Sequence, residues 1–273
     1  FSTDGGLTFR EEAIAGAPGH KAMAYRVKAK ADLGEISGGS ISGSADAYYE
    51  FREAGFSASD DETLKDTQSF GANLSVDMSE NMRLRFGAAG VDSGPDSRKY
   101  RAKAELEAEI AENWSLVAGV TWSHFREPAK QYYNGSRIDV GGRLTYAFDE
   151  DTKVYVFGQA TVSKTGDRLR NNRAGVGGET ALTERLSIGA EVSYGNTGIG
   201  GAAVVTYKKD ADNSYYVGYK LDPDRDLYQE TGNSLVGTDT GVIVAGVNTR
   251  LNDWTSAFAE SSADLFGKSR KLS

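Results

Sequence analysis

Charged side chains occupy every second position of residues 99–109, KYRAKAELEAE. Three basic residues precede three acidic ones, and small or apolar side chains fill the positions between them. A row of fixed charges of both signs is suited to selecting hydrated ions and polar solutes by field and size, not to covalent chemistry. The charged positions are Lys99, Arg101, Lys103, Glu105, Glu107 and Glu109. We predict that they line one polar interior together with Arg83, Arg85, Arg137, Asp139 and Arg143.

Candidate residues for other chemistry are few. The stretch DPDRD at 222–226 places Asp222, Asp224 and Asp226 on alternate positions, where they could offer oxygen ligands to calcium. A solvated acidic loop explains the same residues with fewer requirements, so we predict no metal site. His20 and His124 lie in no recognisable catalytic setting, and the glycine-rich stretch at 175–180 lacks the last glycine of a nucleotide-binding loop. We therefore predict no catalytic residues, no cofactor and no enzymatic activity.

The spacing of the charges indicates the element that positions them. Ala, Glu, Lys and Leu favour a helix, but a helix would spread charges of period two around its whole circumference. A β-strand instead separates them onto one face. The same alternation recurs at 27–33, 136–148 and 185–194, which predicts strands throughout.

The alternating segments divide the chain into fourteen predicted strands joined by connections of two kinds. Short polar turns such as 78–82 and 111–114 alternate with longer connections such as 126–135 and 222–239. Tight turns at one end and longer loops at the other are typical of up-and-down transmembrane barrels. The predicted strands are 21–33, 43–56, 67–78, 81–93, 98–111, 113–126, 135–149, 152–165, 170–183, 185–195, 199–209, 213–221, 240–251 and 254–266.

Composition excludes several classes of protein. The chain has 273 residues, a net charge of −8 and no cysteine, so neither a nucleic-acid partner nor a disulfide or thiolate framework is expected. No segment approaches the 18 or so consecutive apolar residues of a membrane-spanning helix. The chain begins at Phe1 without a visible export signal, which suggests a processed or trimmed chain.

Two observations favour a membrane barrel over a soluble β-sandwich. Many positions on the apolar face of the strands are Ala or Gly, as at 200–207. Such small side chains fill a close-packed protein core poorly, whereas fluid lipid adapts its shape to them. Aromatic residues also cluster near the strand ends, where a membrane interface would lie. The predicted interfacial aromatics are Tyr100, Trp114, Trp122, Tyr146, Phe148, Tyr194 and Trp254.

The predicted fold is therefore all-β, an up-and-down antiparallel transmembrane β-barrel of about fourteen strands. It forms a single domain over 1–273, in which 1–20 is an unplaced N-terminal segment or an additional strand. A soluble β-rich module remains the alternative from another class.

Strand pairing across the turn at 93–97 predicts which charges meet. Residues whose numbers sum to about 192 should face each other, which places Arg85 opposite Glu107 and Arg83 opposite Glu109. Arg26 with Glu50 and Lys30 with Asp46 form a second predicted set of pairs.

The stretch RAGVGGETALTERLSIGAEVSYG (173–195), followed by YYVGYKLDPDRD (215–226), resembles the C-terminal barrel of very long, repeat-containing outer-membrane proteins of Gram-negative bacteria. The likeness extends loosely from about residue 45 to the end and depends on hairpin style, without catalytic signatures. It implies a barrel attached to a large extramembrane part, with no well-established biochemical activity. In size and strand number the chain is also similar to monomeric fourteen-stranded porins. It departs from such barrels in ending FGKSRKLS, without a terminal aromatic residue.

These features predict a protein of the bacterial outer membrane whose partners are the bilayer and its lipids, with a possible attached domain or partner protein. The first hypothesis is a polar pore for passive diffusion of small solutes or ions. The second is a non-conducting anchor whose interior is closed by ion pairs. Matched charges would favour the anchor, and unmatched charges of one sign would favour the pore.

Overall fold

A computed structural model describes most of the chain. The described residues are 22–58, 61–63, 65–94, 97–127, 134–196, 198–221, 242–252, 254–264 and 270–272. The predicted N-terminal segment 1–20 and the acidic stretch 222–226 lie outside them.

The described residues are almost entirely β-structure. One five-residue helix, α1, spans Leu33–Ser37. The strands are β1 (Ala24–Asp32), β2 (Ser42–Arg52), β3 (Ser57–Ala58), β4 (Asp61–Glu62), β5 (Thr67–Ser79), β6 (Met82–Ser93), β7 (Arg98–Ala111), β8 (Trp114–Arg126), β9 (Gly135–Ala147), β10 (Lys153–Lys164), β11 (Arg173–Thr183), β12 (Leu186–Gly195), β13 (Gly198–Lys208), β14 (Asn213–Leu221), β15 (Val242–Asn252), β16 (Thr255–Asp264) and β17 (Arg270–Leu272).

One antiparallel up-and-down sheet contains all the long strands. Its order is β1-β2-β5 and then every strand in sequence to β17, while β3 and β4 form a separate small hairpin. Apart from the three-residue β17, the main sheet has fourteen strands of nine residues or more. The predicted all-β, up-and-down architecture and strand number are confirmed, because a period of two maintained over ten residues leaves little alternative to a strand.

Short polar turns close the hairpins at the predicted places. Ser79 Oγ accepts a hydrogen bond from the backbone N–H of Asn81, and Thr183 Oγ1 accepts from Leu186 N. Asp149 Oδ1 likewise accepts from Thr152 N over 2.6 Å. Such side-chain-to-backbone bonds are why Ser, Thr and Asp favour turns.

The connections after β1 and β2 differ from the prediction. The first contains α1, whose N-terminus is capped by the Asp32 carboxylate and whose C-terminus ends at Gly38, with φ of 64°. The second contains the small hairpin of β3 and β4, and β2 ends at Arg52, four residues before the predicted end at 56. Neither element is long enough to produce a periodic signal in the sequence.

The described residues fall into two compact units. Unit 1 comprises those within 1–107, 119–139 and 162–169, and unit 2 those within 108–118, 140–161 and 170–273. The only helix among the described residues, α1, is far too short to cross a membrane.

Candidate functional site: a polar sheet face with buried charges

Each strand separates its side chains onto two faces. The polar face is defined by the even-numbered residues of β1 and β2 and the odd-numbered residues of β5–β12, and the apolar face by the alternate residues of the same strands. Buried polar side chains of these strands all belong to the polar face. They are Glu50, Thr121, Ser123, Arg137, Asp139, Thr145, Gln159, Thr161, Arg173 and Ser193.

Large hydrophobic side chains show the opposite distribution. On the same strands, the exposed ones lie on the apolar face, with Val91 as the exception. Val156 is 52% exposed, Val192 55% and Tyr194 72%. This arrangement reverses that of a water-soluble protein, in which large apolar side chains are buried and charged ones face solvent.

Within unit 1, one predicted ion pair forms, and the neighbouring arginine binds a carboxylate that the prediction did not include. Arg85 Nη1 lies 2.7 Å from Glu107 Oε1, as the register predicted. Arg83 instead binds Asp77, with 2.6 Å between Nε and Oδ1. Asp77 is the direct cross-strand partner of Arg83 in the β5–β6 register, whereas the prediction paired Arg83 with Glu109 on the other side of β6. Glu109 is exposed.

The second predicted set of pairs is half correct. Arg26 faces Glu50 in the β1–β2 register and lies 3.4 Å from it, and Arg52 binds the same carboxylate. Lys30 faces Asp46 as predicted, but the Asp46 carboxylate accepts its hydrogen bond from Asn73 Nδ2 at 3.0 Å. Asn73 is the direct cross-strand partner of Asp46 in the β2–β5 register.

The basic residues of β7 are also drawn into local pairs. Lys99 lies 3.2 Å from Glu127, and Lys103 lies 2.8 Å from Glu105 on its own strand. The Arg101 guanidinium carbon is 5.9 Å from the centre of the Phe125 ring.

Arg137 and Asp139 form the most deeply buried pair among the described residues. Their side chains are 1% and 0% exposed, and Arg137 Nε donates to Asp139 Oδ2 over 2.6 Å. The two residues are adjacent positions of the polar face of β9. Arg137 Nη1 also donates to the backbone carbonyl of Leu169 at 3.3 Å, which connects the strand to a segment after β10.

Unit 2 carries a polar cluster that the sequence prediction included only in part. The predicted Arg143 lies over the ring of Tyr155, with 5.1 Å from the guanidinium carbon to the ring centre. Tyr155 donates its hydroxyl hydrogen to Glu191 Oε2 over 2.9 Å. Both missed residues occupy polar-face positions of the alternation, so the pattern that predicted the other wall residues could have found them.

The sequence prediction also left out two buried arginines. Arg173 is 3% exposed and donates a hydrogen bond to Ser193 Oγ at 2.9 Å. Arg168 is 2% exposed, and its guanidinium carbon lies 4.3 Å from the centre of the Phe125 ring. Arg173 begins β11 on its polar face, so the alternation could have found it. Arg168 lies in a connection, where no periodicity marks it.

The predicted interfacial aromatics on the described strands lie on the apolar face. In unit 1, His124 stacks with both Tyr100 and Trp122, with ring centres 6.3 Å apart in each case. In unit 2, Tyr146 contacts Trp114 and Phe148, each at 4.9 Å. Trp254, in the turn before β16, is 96% exposed.

Metal binding finds no support in the part of the chain that the structure describes. No group of three or more His, Asp or Glu side chains there is arranged to hold a metal ion. The weak calcium candidate, Asp222, Asp224 and Asp226, lies outside the described residues.

No protein-family model matches the sequence, and no curated protein matches it.

Proposed function

We propose that this chain is a β-barrel of the bacterial outer membrane, with a water-filled interior through which small solutes or ions diffuse passively. The observation that carries the proposal is the reversed burial of the two sheet faces. Large apolar side chains are exposed on one face, and charged side chains are buried on the other.

The free energy of transfer explains why a bilayer suits this arrangement. In water, side chains as exposed as Val156, Val192 and Tyr194 would leave their apolar surface in contact with solvent, at a cost that rises with the exposed area. Against hydrocarbon the same side chains lie in a favourable environment. Closure of this up-and-down sheet into a barrel would pair every strand on both sides, which is the requirement for crossing a bilayer without helices.

The width of a fourteen-stranded barrel favours a pore. About eight strands enclose a space that side chains can fill, whereas sixteen to eighteen leave an aqueous channel. Pairs such as Arg85 with Glu107 join side chains of the polar face, so they lie along the wall. Such pairs would line the interior without filling it.

The extent of charge pairing favours one alternative, a non-conducting anchor that holds an attached domain or partner at the membrane. Most predicted wall charges have an oppositely charged neighbour, and Arg137 with Asp139 is fully buried. Paired charges weaken the field that would attract ions. The anchor differs from the pore in a single measurable property, which is conductance.

The first experiment separates both membrane functions from a soluble β-rich module. The purified chain is refolded in detergent and run on a gel with and without boiling. A folded membrane barrel is expected to migrate as a compact species until it is boiled. A chain that remains soluble and monodisperse without detergent would contradict both membrane functions.

The second experiment separates the pore from the anchor. Folded protein is inserted into a planar lipid bilayer at neutral pH and moderate salt, and single-channel current is recorded. Discrete, stable conductance steps are expected for the pore. Inserted protein that carries no current would contradict the pore and favour the anchor.

A further inference from the structure

Residues 165–169, which directly follow β10, are joined to the start of β9 by reciprocal hydrogen bonds. Thr165 N donates to Ser136 O at 2.8 Å, and Ser136 N donates to Thr165 Oγ1 at 2.9 Å. Asp167 N donates to Asn134 O at 2.9 Å, and Asn134 N donates to Asp167 Oδ1 at 2.6 Å. Four bonds over so few residues hold this segment in one position against β9.

Two glycines allow the backbones to approach closely. Gly166 has φ of +65°, and a Cβ atom there would lie 2.4 Å from Asn134 O. Gly135 has φ of +119°, and its Cβ would lie 2.1 Å from Thr165 O. A side chain at either position would have to push the segment away from the strand.

The segment then turns over the polar face. The Arg168 side chain is 2% exposed, and its guanidinium lies above Phe125, a polar-face residue of β8. The next carbonyl, that of Leu169, accepts a hydrogen bond from the buried Arg137. These contacts place residues 168 and 169 over the face that carries the charges rather than away from the sheet.

We propose that residues 165–169 form a constriction that sets the size limit for solutes in this protein. The inference rests on the proposed pore, since only a segment over the polar face of a barrel would narrow its interior. Arg168 is the residue that fixes the constriction over the polar face, because its buried guanidinium packs on Phe125. The solutes admitted are small hydrophilic molecules, and larger ones are excluded by width.

Gly166→Val tests the constriction without changing any charge. The valine clashes with Asn134 O and should displace the segment, so single-channel conductance should rise about twofold or more. The matched control is Gly38→Val after α1. Gly38 has nearly the same φ, +64°, but nothing lies within 4 Å of its Cβ position, so conductance should stay at the wild-type value.

Arg168→Ala and Arg168→Lys test the residue that holds the segment. Removing the side chain should raise conductance as Gly166→Val does, whereas lysine, which keeps the charge but not the planar contact with Phe125, should give an intermediate value. The compact unboiled band on a gel verifies that each variant is folded. Swelling of liposomes in glucose and in the larger sugar raffinose supplies the second readout, and raffinose should enter only through the displaced variants.

The outcomes separate this inference from the proposed function. A conducting wild type whose conductance and sugar limit are unchanged in folded Gly166→Val would overturn the constriction and leave the pore standing. A silent wild type that conducts after Gly166→Val would contradict an open pore in the wild type and overturn the size limit, because the segment would then close the interior completely. Silence of both inserted proteins would overturn the pore and the constriction together.

Discussion

Arg85 Nη1 donates a hydrogen bond to Glu107 Oε1 over 2.7 Å, joining two side chains that lie 22 residues apart on β6 and β7. Both side chains are less than one third exposed, at 26% and 31%. The pair is therefore partly shielded from solvent and is the best test of the polar-face register.

Reversing this pair should produce measurable coupling. Glu107→Lys alone should lower the free energy of unfolding, because it places two positive charges together. The double variant Arg85→Glu with Glu107→Lys should recover about 1 kcal/mol of the combined loss. Urea unfolding in detergent measures these values. Additive effects of the two single changes would refute the pairing.

The matched control is the pair Lys153 with Glu179, whose side chains are 46% and 53% exposed although the atoms are 2.6 Å apart. Solvent screening should make the coupling in the same double-variant cycle smaller than that of Arg85 with Glu107.

A lysine scan across one strand should distinguish its two faces. Leu74 and Asn73 are neighbours at the centre of β5, with Leu74 on the apolar face and Asn73 on the polar face beside Asp46. In a lipid bilayer, Leu74→Lys should cost about 2–4 kcal/mol of stability. Asn73→Lys places its charge near the Asp46 carboxylate and should cost far less. Equal and small effects for both variants would argue against lipid contact at Leu74.

The prediction of strands from the sequence succeeded because it used a repeated pattern. Each of the fourteen long strands overlaps its predicted range, and β7 has the predicted bounds of 98–111. Prediction of contacts was less complete, since each strand of a sheet has two neighbours. Arg83 could pair with Asp77 on one side or with Glu109 on the other, and the alternation of side chains does not choose between them. The direct β5–β6 partner is the one that binds.

The position of residues 165–169 could not be predicted from the sequence. Its position depends on individual contacts, such as Asp167 with Asn134, between residues 33 positions apart. A connection has no periodicity from which such contacts follow. The glycines at 135 and 166 were visible in the sequence, but glycine alone does not indicate which backbone approaches it.

The ring of Tyr155 should make glycine necessary at position 177. A Cβ at Gly177 would lie 2.5 Å from Tyr155 Cζ, so Gly177→Ala must displace a ring that also binds Glu191. We expect a loss of about 1–3 kcal/mol in the free energy of unfolding. Gly158→Ala is the control, because its nearest neighbour would be 3.8 Å from the new atom. Retention of full stability by Gly177→Ala would show that the ring moves without cost.

The turn between β13 and β14 should show a pH dependence. The Asn213 side chain and the backbone N–H groups of Asp212 and Asn213 donate to Asp210 and hold the pKa of that carboxyl below its usual range. The ionised carboxylate therefore favours the folded turn. Its contribution is present above the ordinary Asp pKa of about 4 and is lost as the pH falls through the lower folded value.

Carbon-13 chemical shifts of the Asp210 carboxyl, followed by NMR through an acid titration, measure this pKa. Asn213→Ala should raise the midpoint towards the ordinary value. A midpoint in the wild type equal to that of the variant would contradict the role of the Asn213 amide.

The pairing of each strand with the strands next to it in sequence affects how such a protein can change during evolution. Each described long strand pairs with the nearest long strand along the chain, from β1 with β2 to β15 with β16. A hairpin is therefore a self-contained module that can be duplicated or deleted without rewiring the rest of the sheet. Gain or loss in steps of two strands would keep the termini at the same end while changing the number of strands in the sheet. Proteins of this architecture can thus diversify in sheet width by copying one hairpin at a time.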